Sequence, residues 1–191
     1  MTRIAIFASG AGSNAARIIQ YFRNHETIAV ALVVSNNPGA GVLSIAANAS
    51  VPTLLIEKER FFRGDAYLPE LQSSRIDFIV LAGFLWKIPQ ALLNAYPNSI
   101  INIHPALLPN YGGKGMYGLR VHAAVLAAGD KESGITVHYV DEHYDNGDII
   151  FQDRITVDGT DTPDTLAEKI HRLEHQHFPR VIEQVVSLRK Q

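Results

Sequence analysis

Short apolar runs alternate with helix-like stretches through the first half of the chain. The strand-like runs are almost continuously apolar rather than alternating, and they lie at residues 3–7, 28–34, 53–56, 78–81 and 100–103. Helix-like stretches lie between them at residues 14–23, 42–49 and 67–73. Continuous apolar strands are typical of a parallel sheet that helices cover on both faces. The order therefore predicts an α/β fold with a Rossmann-like, doubly wound, mainly parallel sheet.

The pattern changes after residue 105. Residues 105–118 hold two prolines and four glycines, which predicts a long irregular loop. Beyond it we expect a helix at residues 120–128, two C-terminal strands and a long terminal helix at residues 163–189. The strands lie at residues 135–140 and 148–157 and are joined by a polar loop. Asp161 or Thr162 can cap the terminal helix, which Pro179 is expected to break or kink.

Composition narrows the class of protein. The 191 residues are 47% hydrophobic and contain no internal repeat or linker, so one domain over residues 1–191 is the economical interpretation. The formal net charge is −2, which argues against a nucleic-acid binder. Cys is absent, which excludes disulfides and thiolate chemistry. Because the sequence shows neither a signal peptide nor a run of roughly 18 apolar residues, we expect a cytoplasmic protein without a membrane partner.

A glycine-rich turn lies between the first strand and the first helix. It reads SGAGSN and ends with Gly12, Ser13 and Asn14. Glycines let the backbone approach a bound group closely, and the N–H groups at a helix start favour an anion. A plain turn with a helix cap would use the same residue types. No acidic residue follows the second strand, where Ser35, Asn36 and Asn37 stand instead, so a phosphate site is favoured over a dinucleotide site.

Two polar residues stand at the end of the strand that begins at residue 100. Asn102 and His104 are two positions apart, so their side chains point the same way in an extended chain, while Ile103 points to the other face. Ligands of open parallel sheets bind outside the carboxyl ends of the strands, which is where these two side chains are expected. An amide can donate a hydrogen bond there and an imidazole can move a proton. The alternative is a capping Asn and a structural His.

The run from residue 138 to residue 148 is rich in His, Asp and Glu. Its spacing does not resemble a zinc signature, and we expect no metal. A solvated acidic loop is equally compatible with the pattern, as is a carboxylate that stabilises an imidazolium. Asp145, followed by the turn pair Asn146-Gly147, suits that last use, but the spacing alone does not choose among a metal site, a solvated loop and a charge partner for an imidazole. Separately, Glu174 and His171 share a helical face and could reach a common ligand.

Several segments together carry a family resemblance. They read GAGSN at residues 10–14, LAGF at 81–84, NIHPALLP at 102–109, TVH at 136–138, and Asp145 with residues 147–150. In this order they resemble the phosphoribosylglycinamide formyltransferase family, the folate-dependent glycinamide ribonucleotide transformylases of purine biosynthesis. The resemblance covers almost the entire chain. The N-I-H-P-x-L-L-P segment is specific for folate-dependent formyltransferases, and the Gly-Ser-Asn turn narrows the match to the ribonucleotide enzymes.

The resemblance implies a reaction and a set of roles. The formyl group of 10-formyltetrahydrofolate, the co-substrate, passes to the primary amine of glycinamide ribonucleotide. Asn102 and His104 bind and polarise the formyl group, and Asp145 keeps His104 protonated, so the pKa of His104 is expected above its usual value. The remaining site residues are those for the ribonucleotide, Gly12, Ser13, Asn14 and Glu174, and those for the folate, Leu85, Trp86, Lys87 and Ile88 with Asn102.

The resemblance also implies different roles for the two halves of the chain. Residues 1–100 form a phosphate-binding half and residues 101–191 a folate-binding and catalytic half. The partners are small-molecule substrates rather than nucleic acid, and the protein is expected to be a monomer or a weak homodimer. Two alternatives stay open: a folate-dependent formyltransferase acting on an amino-sugar nucleotide, and an inert nucleotide-binding module.

Overall fold

In the computed structural model, which describes residues 1–189, all seven predicted strands are confirmed. They are β1 (Thr2–Phe7), β2 (Ile28–Ser35), β3 (Thr53–Leu55), β4 (Phe78–Leu81), β5 (Ile100–His104), β6 (Glu132–Tyr139) and β7 (Ile149–Thr156). The helices are α1 (Ser13–Tyr21), α2 (Gly41–Asn48), α3 (Lys58–Arg63), α4 (Leu68–Ser73), α5 (Gln90–Ala95), α6 (Leu119–Ala128) and α7 (Pro163–Leu188).

The strands form one sheet in the order β3-β2-β1-β4-β5-β6-β7. The pairings from β3 to β5 are parallel, and β6 and β7 are added antiparallel at one edge. The chain winds outward from β1 in one direction to β3 and then returns to β4 on the other side. The predicted doubly wound, mainly parallel sheet is therefore confirmed, with its switch point between β1 and β4.

Helices cover both faces of the sheet, as the continuous apolar strands predicted. One buried cluster contains apolar residues of α1, α2, α6 and α7, for example Ile18, Val42 and Phe178. The cluster on the other face takes Phe61, Leu71 and further residues of α3, α4 and α5. Alternate residues of a central strand, such as those of β1, enter opposite clusters, because successive side chains of a strand point to opposite faces.

Three features of the fold differ from the prediction. Helices α3 and α5, six residues each, were missed, since six residues span less than two turns and give a weak periodic signal, although α4 of the same length was predicted. Of the two effects expected at Pro179, the break is wrong, since α7 continues through it from Pro163 to Leu188, and the kink stays a prediction. Phe178, Pro179 and Val181 are all buried, and this packing offsets the backbone hydrogen bond that proline cannot donate.

Candidate active site

A cavity of about 660 Å³ opens at the carboxyl ends of β1, β4 and β5. These three strands are neighbours in the sheet, so the loops that follow them meet at one edge. Its wall is formed by residues 9–14, 82–85, 102–105 and 113–118, together with Arg120, His122, Tyr144, Asp145, His171 and Glu174. A volume of this size is typical of a small-molecule site.

Asn102, His104 and Asp145 converge on this cavity. The Asn102 Nδ2 atom lies 3.4 Å from Asp145 Oδ1, and His104 Nδ1 lies 3.6 Å from Asp145 Oδ2. Asn102 and His104 occupy alternate positions of β5, whereas Asp145 arrives from the loop between β6 and β7. The expectation that a carboxylate stands opposite the imidazole is therefore met in the geometry.

Asp145 is fixed by its own backbone and by a neighbouring loop. Its φ of 52° lies in the left-handed region, which Asp tolerates better than most residues. The Gly113 N–H donates to Asp145 Oδ2 at 2.9 Å. Within the β6–β7 loop, Asp141 accepts from the His143 N–H at 2.7 Å and from the Asn146 side chain at 3.0 Å. The carboxylate is thus presented by a loop with its own internal hydrogen bonds.

The ionisation of this group differs from the expectation. His104 is 3% exposed, and burial lowers its pKa below the usual value although Asp145 and the Tyr111 carbonyl act in the opposite direction. The expected rise in the pKa of His104 is therefore wrong, because desolvation of the imidazolium outweighs one carboxylate at 3.6 Å. Burial would raise the pKa of Asp145, but His138, His104 and the Gly113 N–H hold it below its usual range.

The hydrogen bonds of His104 distinguish its two nitrogens. Its Nε2 lies 2.8 Å from the Tyr111 carbonyl oxygen, which can only accept, so Nε2 carries a proton. In the neutral ring that the lowered pKa favours, Nδ1 then presents a lone pair, and it is Nδ1 that faces Asp145. The arrangement provides a base with a carboxylate beside it, ready to stabilise the positive charge that a captured proton creates.

Another end of the cavity wall lies at the start of α1, which follows β1, and β1 is separated from β5 by β4 in the sheet. Gly12 has a φ of 82°, and a Cβ there would stand 2.7 Å from the Cβ of Val42, so the turn needs glycine. Ser13 and Asn14 follow in the first turn of the helix, whose free N–H groups and dipole favour an anion. The predicted ribonucleotide residues Gly12, Ser13 and Asn14 therefore all line one wall.

Glu174 joins this end of the cavity from α7. Its carboxylate accepts from Asn14 Nδ2 at 2.8 Å, although the two residues are 160 positions apart in the chain. Glu174 is 5% exposed, and burial raises its pKa to about 7 against the opposing effect of the Asn14 hydrogen bond. A buried carboxyl with so altered a pKa, placed in a cleft, is characteristic of functional sites.

The predicted folate segment is only partly in the cavity wall. Leu85 is half exposed at the cavity, and its backbone N–H donates to Ser9 Oγ at 3.0 Å, which ties the β4 loop to the glycine turn. Trp86 packs instead against the rings of Phe61 and Phe62, Lys87 is exposed and Ile88 is buried in the core. These three side chains do not line the cavity.

Two buried histidines belong to the site although they were not predicted for it. His122 of α6 lines the cavity, and burial, with His171 and His104 nearby, lowers its pKa to about 4. His138 of β6 lies 3.1 Å from Asn102 Nδ2. His138 stood within the recognised TVH segment, but its contact with Asn102 depends on strand register, which the sequence does not display. Nothing in the pattern of α6 distinguished His122.

Residues 1–189 contain no group of three or more His, Asp or Glu side chains placed to hold a metal ion. Within the same residues, every helix is too short or too polar to cross a bilayer.

Comparison with known proteins shows which family the chain belongs to. A family profile described as formyl transferase matches residues 2–182. The chain belongs to the formyl transferase family. Among the curated members, the phosphoribosylglycinamide formyltransferase of Bacillus subtilis is 38% identical, with 98% of this chain and 96% of the relative covered. The chloroplastic phosphoribosylglycinamide formyltransferase of Arabidopsis thaliana is 39% identical over 94% of this chain, which spans only 64% of that relative's length.

Solved structures of the family superpose over nearly the whole fold. The glycinamide ribonucleotide transformylase 1 of Geobacillus kaustophilus gives a TM-score of 0.87 at 37% identity, covering 97% of this chain and 98% of the other. The phosphoribosylglycinamide formyltransferase of Bacillus halodurans gives 0.87 at 35% identity, covering 97% and 96%. The formyltransferase-type fold, expected from the resemblance, is thereby confirmed.

Proposed function

We propose that this chain transfers the formyl group of 10-formyltetrahydrofolate to the primary amine of glycinamide ribonucleotide, giving formylglycinamide ribonucleotide for purine biosynthesis. The observation that carries the proposal is one cavity lined both by the Asn102–His104–Asp145 centre and by the glycine turn at the start of α1, whose free N–H groups favour an anion. The identity to proteins named phosphoribosylglycinamide formyltransferase, at close to full length in the bacterial relative, supports the same assignment.

The ribonucleotide is assigned to the α1 end of the cavity. Its 5-phosphate binds at Gly12, Ser13 and Asn14, where backbone N–H groups and the helix dipole meet a dianion. Glu174, hydrogen-bonded to Asn14, contacts the sugar and glycinamide portion. The phosphate and the amine are thus held apart along the cavity, which directs the amine towards His104.

The folate is assigned to the wall that carries Leu85, with the segment from Trp86 to Ile88 holding that wall in place. Asn102 is the residue shared between the two substrates, because it lies at the strand end between them. The cavity of about 660 Å³ has room for the reacting ends of both molecules and holds amide, imidazole and carboxylate groups suited to them.

In the proposed reaction the amine attacks the formyl carbon, and the developing oxyanion accepts a hydrogen bond from Asn102 Nδ2. A preorganised donor of this kind is typically worth about 3–4 kcal/mol of transition-state stabilisation. The amine's proton passes to the free Nδ1 of His104, and the resulting imidazolium is stabilised by Asp145, whose Oδ2 is 3.6 Å away. The carbon–nitrogen bond to the folate then breaks, and that nitrogen takes up the electron pair and the proton from His104.

A substrate comparison tests the proposal. Purified protein is given 10-formyltetrahydrofolate with either glycinamide ribonucleotide or an amino-sugar nucleotide, and the formylated product is measured by mass spectrometry. We expect product from glycinamide ribonucleotide only. Formylation of the amino sugar alone would reassign the acceptor. Tight binding of the ribonucleotide with no turnover would instead identify an inert nucleotide-binding module.

A further inference from the structure

His138 is buried directly behind the reacting centre. It lies on β6 opposite Asn102 of β5 in the antiparallel register, and it is 2% exposed. Its Nε2 is 3.1 Å from Asn102 Nδ2 and 3.6 Å from Asp145 Oδ1. The mechanism described above uses no atom of this imidazole, yet the imidazole faces two of the three groups that perform it.

The partners of His138 assign a different role to each ring nitrogen. Its Nδ1 lies 2.8 Å from the Tyr139 carbonyl oxygen, which can only accept, so Nδ1 carries a proton. Its Nε2 lies closer to the Asn102 amide nitrogen, which can only donate, than to the acceptor Asp145 Oδ1 at 3.6 Å, and we therefore assign a lone pair to Nε2. Asp145 Oδ1 can only accept, and it lies 3.4 Å from the same amide nitrogen. It therefore favours the same orientation of the Asn102 carboxamide, with the nitrogen towards His138 and Asp145.

This arrangement matters because an Asn carboxamide has two roughly equivalent orientations about its last torsion. In one, the amide nitrogen faces His138 and offers its second N–H for an oxyanion. In the other, the carbonyl oxygen would stand against the His138 lone pair and the Asp145 carboxylate, which is repulsive. The second N–H makes only the long 3.4 Å contact with Asp145, so it is available to a substrate oxygen.

We propose that His138 is a positioning residue that accepts from Asn102 Nδ2 and thereby fixes the carboxamide as an oxyanion donor. The proposal rests on the proposed formyl transfer and identifies what preorganises its donor. Preorganisation of this kind matters because a donor that must reorient during the reaction loses part of its catalytic value.

The first test reads the ring directly and needs no activity. In protein carrying ¹⁵N-labelled histidine, the shifts of the His138 nitrogens are expected to show Nδ1 protonated and Nε2 unprotonated at neutral pH, with an Asn102→Ala control for assignment. A protonated Nε2 would overturn the proposal, because it could not accept from the amide.

The second test is a double-mutant cycle. His138→Phe is expected to lower kcat by about 10- to 100-fold, less than outright loss of an oxyanion donor, while the KM of each substrate stays within about twofold. In an Asn102→Ala background the same change is expected to cost almost nothing further. His138→Gln, which can present an amide oxygen to Asn102, is expected to recover part of the rate.

The controls separate positioning from packing. His177→Phe alters a histidine on α7 that pairs with Asp153 outside the cavity and is expected to leave kcat unchanged. The proposal would be contradicted if His138→Phe lowered kcat equally in the wild-type and Asn102→Ala backgrounds. Equal kcat values for His138→Phe and His138→Gln would also contradict it. If wild-type protein transfers no formyl group, the proposed function fails, and the ¹⁵N result still decides whether His138 fixes the carboxamide.

Discussion

The ionisation of His104 and Asp145 decides how these two residues share a proton. Burial lowers the pKa of His104, so the ring is neutral at neutral pH and becomes charged only as pH falls below the usual range. The pKa of Asp145 is also lowered, so its carboxylate is ionised in the same interval. The resting pair is thus a neutral base beside a negative charge.

Asp145→Asn is expected to lower the pKa of His104 further, because the carboxylate's charge is one of the two effects that raise it. The acid limb of kcat/KM should move to lower pH, and the plateau should fall by about 100-fold or more as proton transfer weakens. NMR titration of the His104 ring measures the pKa separately from Glu174, which titrates near 7.

The matched control for this change is Glu142→Gln, which removes an exposed carboxylate from the same loop. It is expected to leave both the pKa of His104 and the rate unchanged. An unshifted or raised His104 pKa in Asp145→Asn would contradict the electrostatic role of the carboxylate, as would loss of wild-type activity on treatment with a chelator.

Glu174 is expected to make the protein less stable as pH rises, whereas a carboxylate paired with a cation makes a protein more stable as pH rises. Because burial raises its folded pKa to about 7, ionisation above the unfolded value near 4.5 destabilises the fold, increasingly so until the pH passes 7. Glu174→Gln should therefore increase the free energy of unfolding at pH 8, by up to about 3 kcal/mol, with no gain below pH 4. Denaturant unfolding at both pH values, with ribonucleotide affinity measured in parallel, checks this. An equal effect at both pH values would remove the electrostatic explanation.

The glycine turn before α1 is the element on which ribonucleotide binding depends. Gly12→Ala places a Cβ against Val42 at a residue whose φ is 82°, which costs about 1–2 kcal/mol for the left-handed backbone alone. We expect the turn to shift and ribonucleotide affinity to fall at least about tenfold, with folate affinity nearly unchanged. Calorimetric titration of each ligand measures both.

Gly159→Ala is the control for that experiment, since a Cβ there meets no atom within 4 Å and the residue lies in the β7–α7 connection. Asn14→Ala should act in the same direction as Gly12→Ala, through loss of a donor and of the Glu174 contact. If folate affinity falls instead while ribonucleotide binding is retained, the two ends of the cavity are assigned in reverse.

The elements also show what a single sequence discloses. Apolar runs located every strand, including the three-residue β3, because a continuous apolar run fills the whole strand, whereas a helical period needs more residues than α3 and α5 contain. Asn102 and His104 followed from alternation along β5. The choice of Asp145 as the carboxylate beside His104 needed the family resemblance, because the position of a loop side chain depends on packing that the sequence pattern does not show. The contact of His138 with Asn102 and the direction of the His104 pKa shift depend on register and burial, which only the folded chain defines.

At the scale of the molecule, α7 joins the two halves of the chain. It packs against α1, α6 and β6, and Glu183 on it accepts from the Tyr21 hydroxyl at 2.5 Å and pairs with His25 at 3.0 Å. We therefore expect residues 1–191 to unfold as one domain. Scanning calorimetry should give one transition whose calorimetric and van't Hoff enthalpies agree. Two resolved transitions, one for each half, would contradict a single domain.

The central claim is that formyl transfer takes place at the Asn102–His104–Asp145 centre, and His104→Ala tests it most directly. Wild type, His104→Ala and the control His177→Ala, each shown to be folded by circular dichroism, are incubated with 10-formyltetrahydrofolate and glycinamide ribonucleotide. The rate of formylglycinamide ribonucleotide formation is then measured. We expect wild type and His177→Ala to turn over equally and His104→Ala to be slower by at least about 100-fold, the loss typical of a removed proton-transfer group. A folded His104→Ala protein that retains the wild-type rate would contradict the account.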